Sequence, residues 1–210
     1  MTNFKINSND SEPNLGNYVI PDYVKRNVAV DLGSNLCLFE KKYHNRFDEI
    51  FYFEANYANF LKGTSRVLSS GIKNCFGFNY AVTDNSGDLV RIYSATSMDS
   101  GSKSILGHPG ANLSDYHNIM TISLDDIFRL LEIERINYLK IDVEGAEHSI
   151  FMNSDLSRID FIAIEIHNIM GIEKMNEVRN KILETHEIVS QINAVPDIRN
   201  EETNFRLRIP

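Results

Sequence analysis

The feature that most constrains the fold is an alternation of short β-branched runs with amphipathic segments of helical period, which begins at Val28. This alternation is typical of βαβ units, in which a helix follows each strand of a parallel sheet. We therefore predict a Rossmann-like α/β fold with a mostly parallel, seven-stranded sheet and helices on both faces. The predicted strands are 28–32, 49–53, 74–80, 138–143, 161–166, 188–192 and 205–209. The predicted helices are 36–46, 57–66, 124–133, 146–152 and 173–184.

Chain length and local composition predict the domain organisation. The 210 residues, 42% of them hydrophobic, suffice for one substantial core, so we expect a single domain over 28–210 after a polar, partly ordered leader over 1–27. A strong turn signal precedes alternating apolar residues within 85–94, which predicts an edge hairpin. Residues 95–120 show neither period, and we expect a loop that covers the substrate; an insertion without a role is the alternative.

Charge and cysteine spacing limit the partners. A net charge of −8 leaves no basic surface to neutralise phosphates, so no nucleic-acid partner is expected. Cys37 and Cys75 show no metal-binding or redox spacing, which favours a reducing compartment. No segment approaches the roughly 20 apolar residues that span a bilayer. We expect a soluble, cytoplasmic protein with no membrane contact.

A candidate ligand site lies where the first predicted strand meets its helix. The run V-A-V-D-L continues into G-S-N, so Asp31, Gly33, Ser34 and Asn35 occupy the turn at the edge of the sheet where Rossmann folds bind ligands. A glycine lets the backbone approach a ligand, and free N–H groups at a helix start suit a carboxylate. The pattern D-x-G-x-N is equally compatible with a plain strand-to-turn junction.

The second predicted strand is followed by Glu54, at the roughly 20-residue spacing from Asp31 at which a carboxylate meets ribose hydroxyls. The two carboxylate oxygens match the two hydroxyls of a diol. Alternatively, Glu54 only supports the start of the next helix, for which Asn56 is a plausible cap. The first turn lacks the G-x-G-x-x-G pattern of NAD-binding sites, which disfavours a dehydrogenase.

Three carboxylates cluster in the run Y-L-K-I-D-V-E-G-A-E, namely Asp142, Glu144 and Glu147. Asp142 follows the strand expected beside the first strand, where the reactive end of a bound cofactor should lie. We therefore predict a catalytic role for Asp142. Glu144 and Glu147 could simply complement the dipole of the helix that begins near Gly145.

The next predicted strand ends with Glu165 and His167, which point to one face of the sheet because residues two apart in a strand share a face. Parallel neighbours would bring both side chains near Asp142. His167 is a natural general base for a hydroxyl proton, with Asp142 to orient it, whereas a hydrogen-bonded surface histidine is the alternative. The same three residues could also hold a divalent cation, although the favoured interpretation has no metal.

Four motifs in this order between Val28 and His167 resemble the FkbM methyltransferase family: V-A-V-D-L-G-S-N, F-Y-F-E-A-N, T-I-S-L-D-D-I-F and Y-L-K-I-D-V-E-G-A-E-H-S-I-F. The last two together are the most specific. The resemblance implies a class I methyltransferase fold and S-adenosyl-L-methionine as the cofactor. It also implies methyl transfer to a hydroxyl oxygen, on a sugar or a related natural-product acceptor.

The resemblance further implies site residues. The cofactor would contact Asp31, Gly33, Ser34, Asn35, Glu54, Asn56, Asn79, Ala81 and Asp142. Within this set the first turn would hold the methionine part, Glu54 the ribose, and Asn79 to Ala81 the adenine. Leu124 to Asp126 would start a helix and play a structural role. Cys37 stands where the family usually has a glycine, so the helix after the first strand must accommodate a larger side chain.

Two other functions stay open. One is a degenerate, methyltransferase-like binding or scaffold module that has kept the fold and lost turnover. The other is a metal-dependent hydrolase built on Asp142, Glu165 and His167. If the chain is a methyltransferase, acceptor recognition should fall to residues 95–120, with a second subunit of a homo-oligomer as an additional contributor.

Overall fold

The computed structural model describes residues 18–94, 103–104, 116–193 and 200–208. The strands are β1 Val28–Leu32, β2 Glu49–Phe53, β3 Cys75–Phe78, β4 Ala81–Thr83, β5 Leu89–Ser94, β6 Lys103–Ser104, β7 Tyr116–Ser123, β8 Tyr138–Ile141, β9 Phe161–His167, β10 His186–Asn193 and β11 Asn200–Leu207. The helices are α1 Leu38–Tyr43, α2 Tyr57–Ser69, α3 Leu124–Leu130, α4 Glu147–Met152 and α5 Ile172–Leu183.

Seven strands form the main sheet in the order β10-β11-β9-β8-β1-β2-β3. The five strands from β9 to β3 are mutually parallel, whereas β11 runs antiparallel to both of its neighbours. The predicted α/β fold with a mostly parallel, seven-stranded sheet is therefore confirmed. The carboxyl ends of β1, β2 and β8 meet at one edge of the sheet, which positions the residues that follow each of them in one place.

Helices cover both faces of this sheet, as predicted. On one face, Val30 and Leu32 of β1 pack in a core with residues of α3, α4 and α5. On the other face, Ala29 of β1 packs with Phe39 of α1. The alternation of side chains along β1 explains this division, because successive residues in a strand point to opposite faces.

The element bounds differ from the predictions at several ends. The strand β8 ends at Ile141 rather than Val143, and α1 is completed by a 3-10 turn over His44–Arg46. The strands β10 and β11 both begin earlier than predicted. They pair antiparallel with each other, and backbone hydrogen bonds of such a ladder do not require apolar side chains.

A second, four-stranded sheet has the order β4-β7-β5-β6. It corrects two predictions. The segment 85–94 contains an antiparallel strand, as a hairpin requires, but this strand, β5, pairs with β7 of the second sheet instead of forming an edge hairpin. The last residues of the predicted loop 95–120 belong to β7. The polar side chains of this strand explain why the sequence pattern did not predict it. Residues 95–102 and 105–115 of that loop lie outside the described residues.

The segment before β1 packs against the domain. Tyr18 and Val24 are buried in the same core as Tyr138 of β8, and the Tyr138 hydroxyl donates a hydrogen bond of 3.1 Å to the carbonyl oxygen of Val19. The described part of the leader is therefore ordered against the sheet. Among the described residues, the structure contains no helix that is long and apolar enough to cross a membrane.

His186 makes folding sensitive to acid. Its ring is fully buried, with Nε2 3.0 Å from the carbonyl oxygen of Ile159 and Nδ1 2.7 Å from the hydroxyl of Thr185. Burial outweighs these hydrogen bonds and lowers the pKa of His186 from 6.5 to about 4. The neutral ring is thus retained in the folded protein, while the unfolded chain takes up a proton below pH 6.5.

We predict that acidification from pH 7 to pH 4.5 removes about 2 kcal/mol of unfolding free energy through His186 alone, because the folded state resists protonation until about pH 4. Urea titrations at several pH values would measure this loss. In the variant His186→Gln the loss should be smaller by that amount, whereas His44→Gln, at a partly exposed site, should behave as wild type. Equal acid sensitivity in the two variants would contradict the prediction.

Candidate active site

The turn after β1 has an unusual backbone. Gly33, Asn35 and Cys37 have φ angles of 83°, 51° and 54°, in the left-handed region that L residues rarely adopt. The amides of Gly33 and Ser34 both donate to the carbonyl oxygen of Phe53, at 2.9 and 3.1 Å. A Cβ atom on Gly33 would lie 1.8 Å from the carbonyl oxygen of Asp142. The turns after β1 and β8 therefore touch through backbone alone, and only glycine fits between them.

Cys37 is accommodated without displacing this turn. Its side chain is fully buried, and a Cβ on Gly63 of α2 would come within 2.5 Å of its sulfur atom. The absence of a side chain at Gly63 thus gives room for the thiol. The left-handed conformation of Cys37 explains why a glycine would suit this position.

Glu54 organises the turn after β2. Its Oε1 accepts from the amide of Asn56, and its Oε2 accepts from the amide of Asn35, both at 2.7 Å. The helix cap itself is Asn56, whose side chain accepts from the amide of Ala58, as predicted. Burial, partly offset by the two amide hydrogen bonds, raises the pKa of Glu54 to about 7. Each oxygen keeps a second lone pair for a hydroxyl donor.

A cleft with about 650 Å³ of empty space, part of it open to solvent, lies at this edge of the sheet. Six of the predicted cofactor residues line it: Gly33, Asn35, Glu54, Asn56, Ala81 and Asp142. Its wall also includes the apolar residues Phe53, Tyr80, Val82, Ile92 and Val143.

The other three predicted cofactor residues lie behind the wall. Asn79 donates from its side-chain amide to the carbonyl oxygen of Glu54 at 2.7 Å, so it braces the turn. Ser34 is buried, and its hydroxyl lies 3.9 Å from the sulfur of Cys37. Asp31 is fully buried in an ion pair. The side chains of these three residues thus support the two turns from behind the cleft.

A buried cluster of charged residues, formed by Asp31, Glu40 and Lys140, supports the turn after β1. Lys140 of β8 pairs with Asp31 at 2.8 Å and donates to the carbonyl oxygen of Gly33 at 3.2 Å. Burial lowers the pKa of Lys140, but the charges of Asp31 and Asp142 outweigh burial and raise it above its ordinary value. Burial and the charge of Asp31 raise the pKa of Glu40 well above its usual range. Lys140 is therefore the cation that balances the charge of Asp31 in this cluster.

His167 lies among carboxylates, of which Asp142 and Glu144 line the cleft. Its Nε2 is 3.7 Å from Asp142, 3.4 Å from Glu144 and 3.7 Å from Glu165. Its Nδ1 donates to Glu147, a fully buried residue that also accepts from the amide of Gly145 at 3.3 Å. The predicted proximity of Asp142, Glu165 and His167 is thus observed. Glu147, not Asp142, orients the ring.

The surrounding carboxylates determine the protonation state of His167. Burial alone would lower the pKa of His167, but the hydrogen bond and charge of Glu147 and the charges of Glu144 and Asp142 raise it to about 10. Burial, opposed by His167, raises the pKa of Glu144 to about 6. A pKa of about 10 favours a His167 ring that keeps its proton at neutral pH.

Two residues that sequence patterns had not indicated complete the arrangement. The Tyr18 hydroxyl donates to Oδ2 of Asp142 at 3.2 Å, and the Lys140 ammonium lies 5.1 Å from the centre of the Tyr18 ring. Burial and the charge of Asp142 raise the pKa of Tyr18, so its hydroxyl keeps its proton. Lysine within an otherwise apolar strand was a visible signal for Lys140, whereas nothing local marked Tyr18.

The L-D-D element starts α3, as predicted. Ser123 is the helix cap, and its hydroxyl accepts from the amide of Asp126 at 3.2 Å. Asp126 in turn pairs with Arg129 in the same helix. These contacts are local and support a structural role.

The groups that line the cleft fit an adenosyl cofactor. Glu54 offers carboxylate oxygens for a diol, and the glycine turn brings backbone close to a ligand. The apolar wall around Ala81 and Ile92 suits a heteroaromatic base, and the carboxylates of Asp142 and Glu144 suit a positively charged sulfonium. The sheet order and this cleft define a class I methyltransferase.

The model of the methyltransferase FkbM domain matches residues 12–204. The chain belongs to the FkbM methyltransferase family, which confirms the resemblance and S-adenosyl-L-methionine as the cofactor. No protein among curated sequences matches the chain.

Two solved structures show the same fold at low sequence identity. Methyltransferase FkbM from Methylobacillus flagellatus KT is 15% identical, with a TM-score of 0.55, and the match covers 85% of this chain and 43% of that one. TrmK from M. capricolum, in complex with S-adenosyl-homocysteine, is 12% identical, with a TM-score of 0.53, and the match covers 89% of this chain and 65% of that one. This chain thus spans less than two thirds of both proteins.

Proposed function

We propose that the chain is an S-adenosylmethionine-dependent O-methyltransferase that acts on a hydroxyl of a sugar or a related natural product. The observation that carries this proposal is the sharing of one cleft by the Glu54 turn and the carboxylates of Asp142 and Glu144. A candidate ribose-binding group and a candidate proton acceptor thus line the same space. Such an arrangement suits transfer to an oxygen nucleophile, which must lose a proton.

The proposed cofactor site uses the residues of the first two turns. Gly33 and Asn35 would face the methionine part, Glu54 would accept hydrogen bonds from the ribose, and Ala81 would contact the adenine. S-adenosylmethionine supplies an electrophilic methyl group when it is bound. The turns hold their shape through backbone contacts, so the site is formed before the ligand arrives.

Asp142 is the proposed acceptor of the hydroxyl proton. Its side chain is 29% exposed, whereas the His167 side chain is only 6% exposed. Tyr18 and His167 contact its two oxygens, and Glu165 lies 3.7 Å from the same His167 nitrogen. His167 and Glu165 then act by positioning and charge, which departs from the general-base role predicted for His167.

The acceptor class is supported by charge. A net charge of −8 is unfavourable for a phosphate backbone and compatible with a neutral saccharide. We propose that residues 95–120, alone or with a second subunit, contact the acceptor, since β5 brings Ile92 to the cleft wall directly before this segment. The proposed location is the cytoplasm, in keeping with the two free cysteines.

Two measurements test the proposal. Calorimetry with S-adenosyl-homocysteine should show binding and a raised melting temperature, as linkage requires for a ligand of the folded state. Methyl incorporation into sugars and nucleotide sugars should then identify an acceptor. Binding without methyl transfer to any such acceptor would favour a degenerate binding module, and methylated RNA would contradict the acceptor class.

A further prediction concerns Glu54 and pH. Because the pKa of Glu54 is about 7 and only its ionised form accepts both ribose hydroxyls, affinity for S-adenosyl-homocysteine should rise about tenfold from pH 6 to pH 8. Glu54→Gln should lower affinity at pH 8 by about tenfold or more and flatten this profile. Calorimetry across this range would measure both effects.

The matched control is Glu49→Gln, which changes an exposed carboxylate at the start of the same strand. It should keep the affinity and the pH profile of the wild type. If Glu54→Gln retained the rise with pH, another group would be responsible and the assignment of Glu54 would be wrong.

A further inference from the structure

We propose that Asp142, Glu165 and His167 form a binding site for a divalent transition-metal cation at the acceptor side of the cleft. The inference deepens the proposed methyltransferase function and rests on it only for the use of the cation. The site itself is argued from the arrangement of these three side chains and of Glu147 behind them.

The ligand atoms are nearly at coordination distance from a common point. One oxygen of Asp142, one oxygen of Glu165 and a ring nitrogen of His167 all lie within 4.8 Å of one another. Metal bonds to nitrogen and oxygen are about 2.0–2.2 Å long, which places ligand atoms about 3.0–3.5 Å apart around one ion. The observed separations from Nε2, 3.7 Å to each carboxylate, would shorten by small side-chain rotations.

The two ring nitrogens of His167 have the contacts that are typical of a metal-binding histidine. His167 is 5% exposed, its Nδ1 donates to Glu147, and its Nε2 is directed at the carboxylates. Histidines that bind metals commonly donate their other ring nitrogen to a carboxylate, which fixes the ring and leaves the ligating nitrogen free to face the ion. A surface histidine would not need a fully buried carboxylate for this purpose.

The charges of the cluster also call for a cation. Asp142, Glu144, Glu147 and Glu165 surround one imidazole, and Glu147 is fully buried. Its Oε2 has no hydrogen-bond partner within the part of the chain that is described. A single proton on the ring offsets only one of these negative charges. A divalent ion in place of that proton offsets two and binds the carboxylates directly.

The ligand types limit the choice of ion. One imidazole and two carboxylates favour Mn²⁺, Fe²⁺ or Zn²⁺ over Mg²⁺ or Ca²⁺, which prefer oxygen alone. Asp142 also lines the cleft, so an ion held there would face an acceptor hydroxyl. A bound cation makes such a hydroxyl more acidic. This chemistry would serve the proposed O-methylation, in which Oδ1 of Asp142 would bind the ion and Oδ2 would still accept the hydroxyl proton.

The test uses the full-length protein after treatment with a chelator and dialysis. Titration with MnCl₂, followed by the electron paramagnetic resonance signal of free Mn²⁺, should reveal one site per chain, with MgCl₂ a weak competitor. His167→Ala and Glu165→Gln should each weaken Mn²⁺ binding by at least about tenfold. Glu147→Gln should weaken it by about 10- to 100-fold, because the ring loses its support.

A matched pair of controls exists on the surface. His148 contacts Glu177 through a similar histidine–carboxylate pair at 2.6 Å, and neither residue is one of the proposed ligands. His148→Ala and Glu177→Gln should bind Mn²⁺ as the wild type does. Circular dichroism and melting curves show which variants are folded. If His167→Ala does not fold, the wild-type titration still shows whether the chain binds Mn²⁺.

The outcomes separate this inference from the proposed function. Binding of S-adenosyl-homocysteine in the presence of chelator, together with no Mn²⁺ binding by the wild type, would overturn the metal site and leave the methyltransferase proposal intact. Equal Mn²⁺ affinity of folded His167→Ala and His148→Ala would also overturn it. Mn²⁺ binding that depends on His167 and Glu165, without any binding of S-adenosyl-homocysteine, would support the site and contradict the proposed function.

Discussion

Replacing Gly33 with alanine is expected to lower affinity for S-adenosyl-homocysteine by about 100-fold or more and to cost about 3 kcal/mol of unfolding free energy. The new Cβ would lie 1.8 Å from the carbonyl oxygen of Asp142, so one of the two turns must move by more than 1 Å. The φ angle of 83° adds strain for any L side chain. Calorimetry and urea denaturation would measure the two effects.

The variant Gly71→Ala separates the effect of backbone strain from the effect of a steric clash. Gly71 has a φ angle of 71°, and nothing lies within 4 Å of the position that its Cβ would occupy. This variant should lose about 1–2 kcal/mol of stability from backbone strain alone and keep wild-type affinity. If Gly33→Ala behaved in the same way, the contact between the turns would not control the cofactor site.

Replacing Lys140 with methionine is expected to reduce the unfolding free energy by about 3–5 kcal/mol. Methionine preserves much of the volume of the side chain but leaves Asp31 without its cation in a fully buried place. The carbonyl oxygen of Gly33 also loses a donor, so affinity for S-adenosyl-homocysteine should fall as well. Urea denaturation at pH 7 would measure the loss of stability.

Two further variants test the cause of this loss. Lys62→Met, at an exposed position of α2, should change stability by no more than about 0.5 kcal/mol. The double variant Asp31→Asn with Lys140→Met should be more stable than Lys140→Met alone, because the uncompensated carboxylate is gone. A double variant as unstable as the single one would show that packing, and not charge, makes Lys140 important.

The sequence predicted the main sheet because its signals are local. The central parallel strands β1, β8 and β9 are short apolar runs that are buried on both faces, so the order of strands and helices followed from the pattern around Val28, Tyr138 and Phe161. The family resemblance then indicated which strand ends meet. The positions of Glu54 and Asp142 on one cleft could therefore be anticipated.

Other parts of the site depend on contacts between residues far apart in the sequence. Glu147 was interpreted as a helix-dipole partner, since nothing in G-A-E shows that its carboxylate turns inward to His167. Burial of Asp31 against Lys140 was likewise hidden, because charged residues are seldom fully buried. The strand β7 escaped prediction because its polar residues lack the alternation that marks a half-buried strand.

The contact between Tyr18 and Asp142 has a practical consequence for anyone who shortens this protein. A truncated version that starts at the first strand would retain every layer of the sheet and every turn of the cleft. It would still lack the Tyr18 hydroxyl that donates to Asp142. We therefore expect a crystal structure of such a fragment to show an intact fold, although its activity in solution would be low. Truncation boundaries, fusion tags and protease sites are therefore best placed upstream of Tyr18.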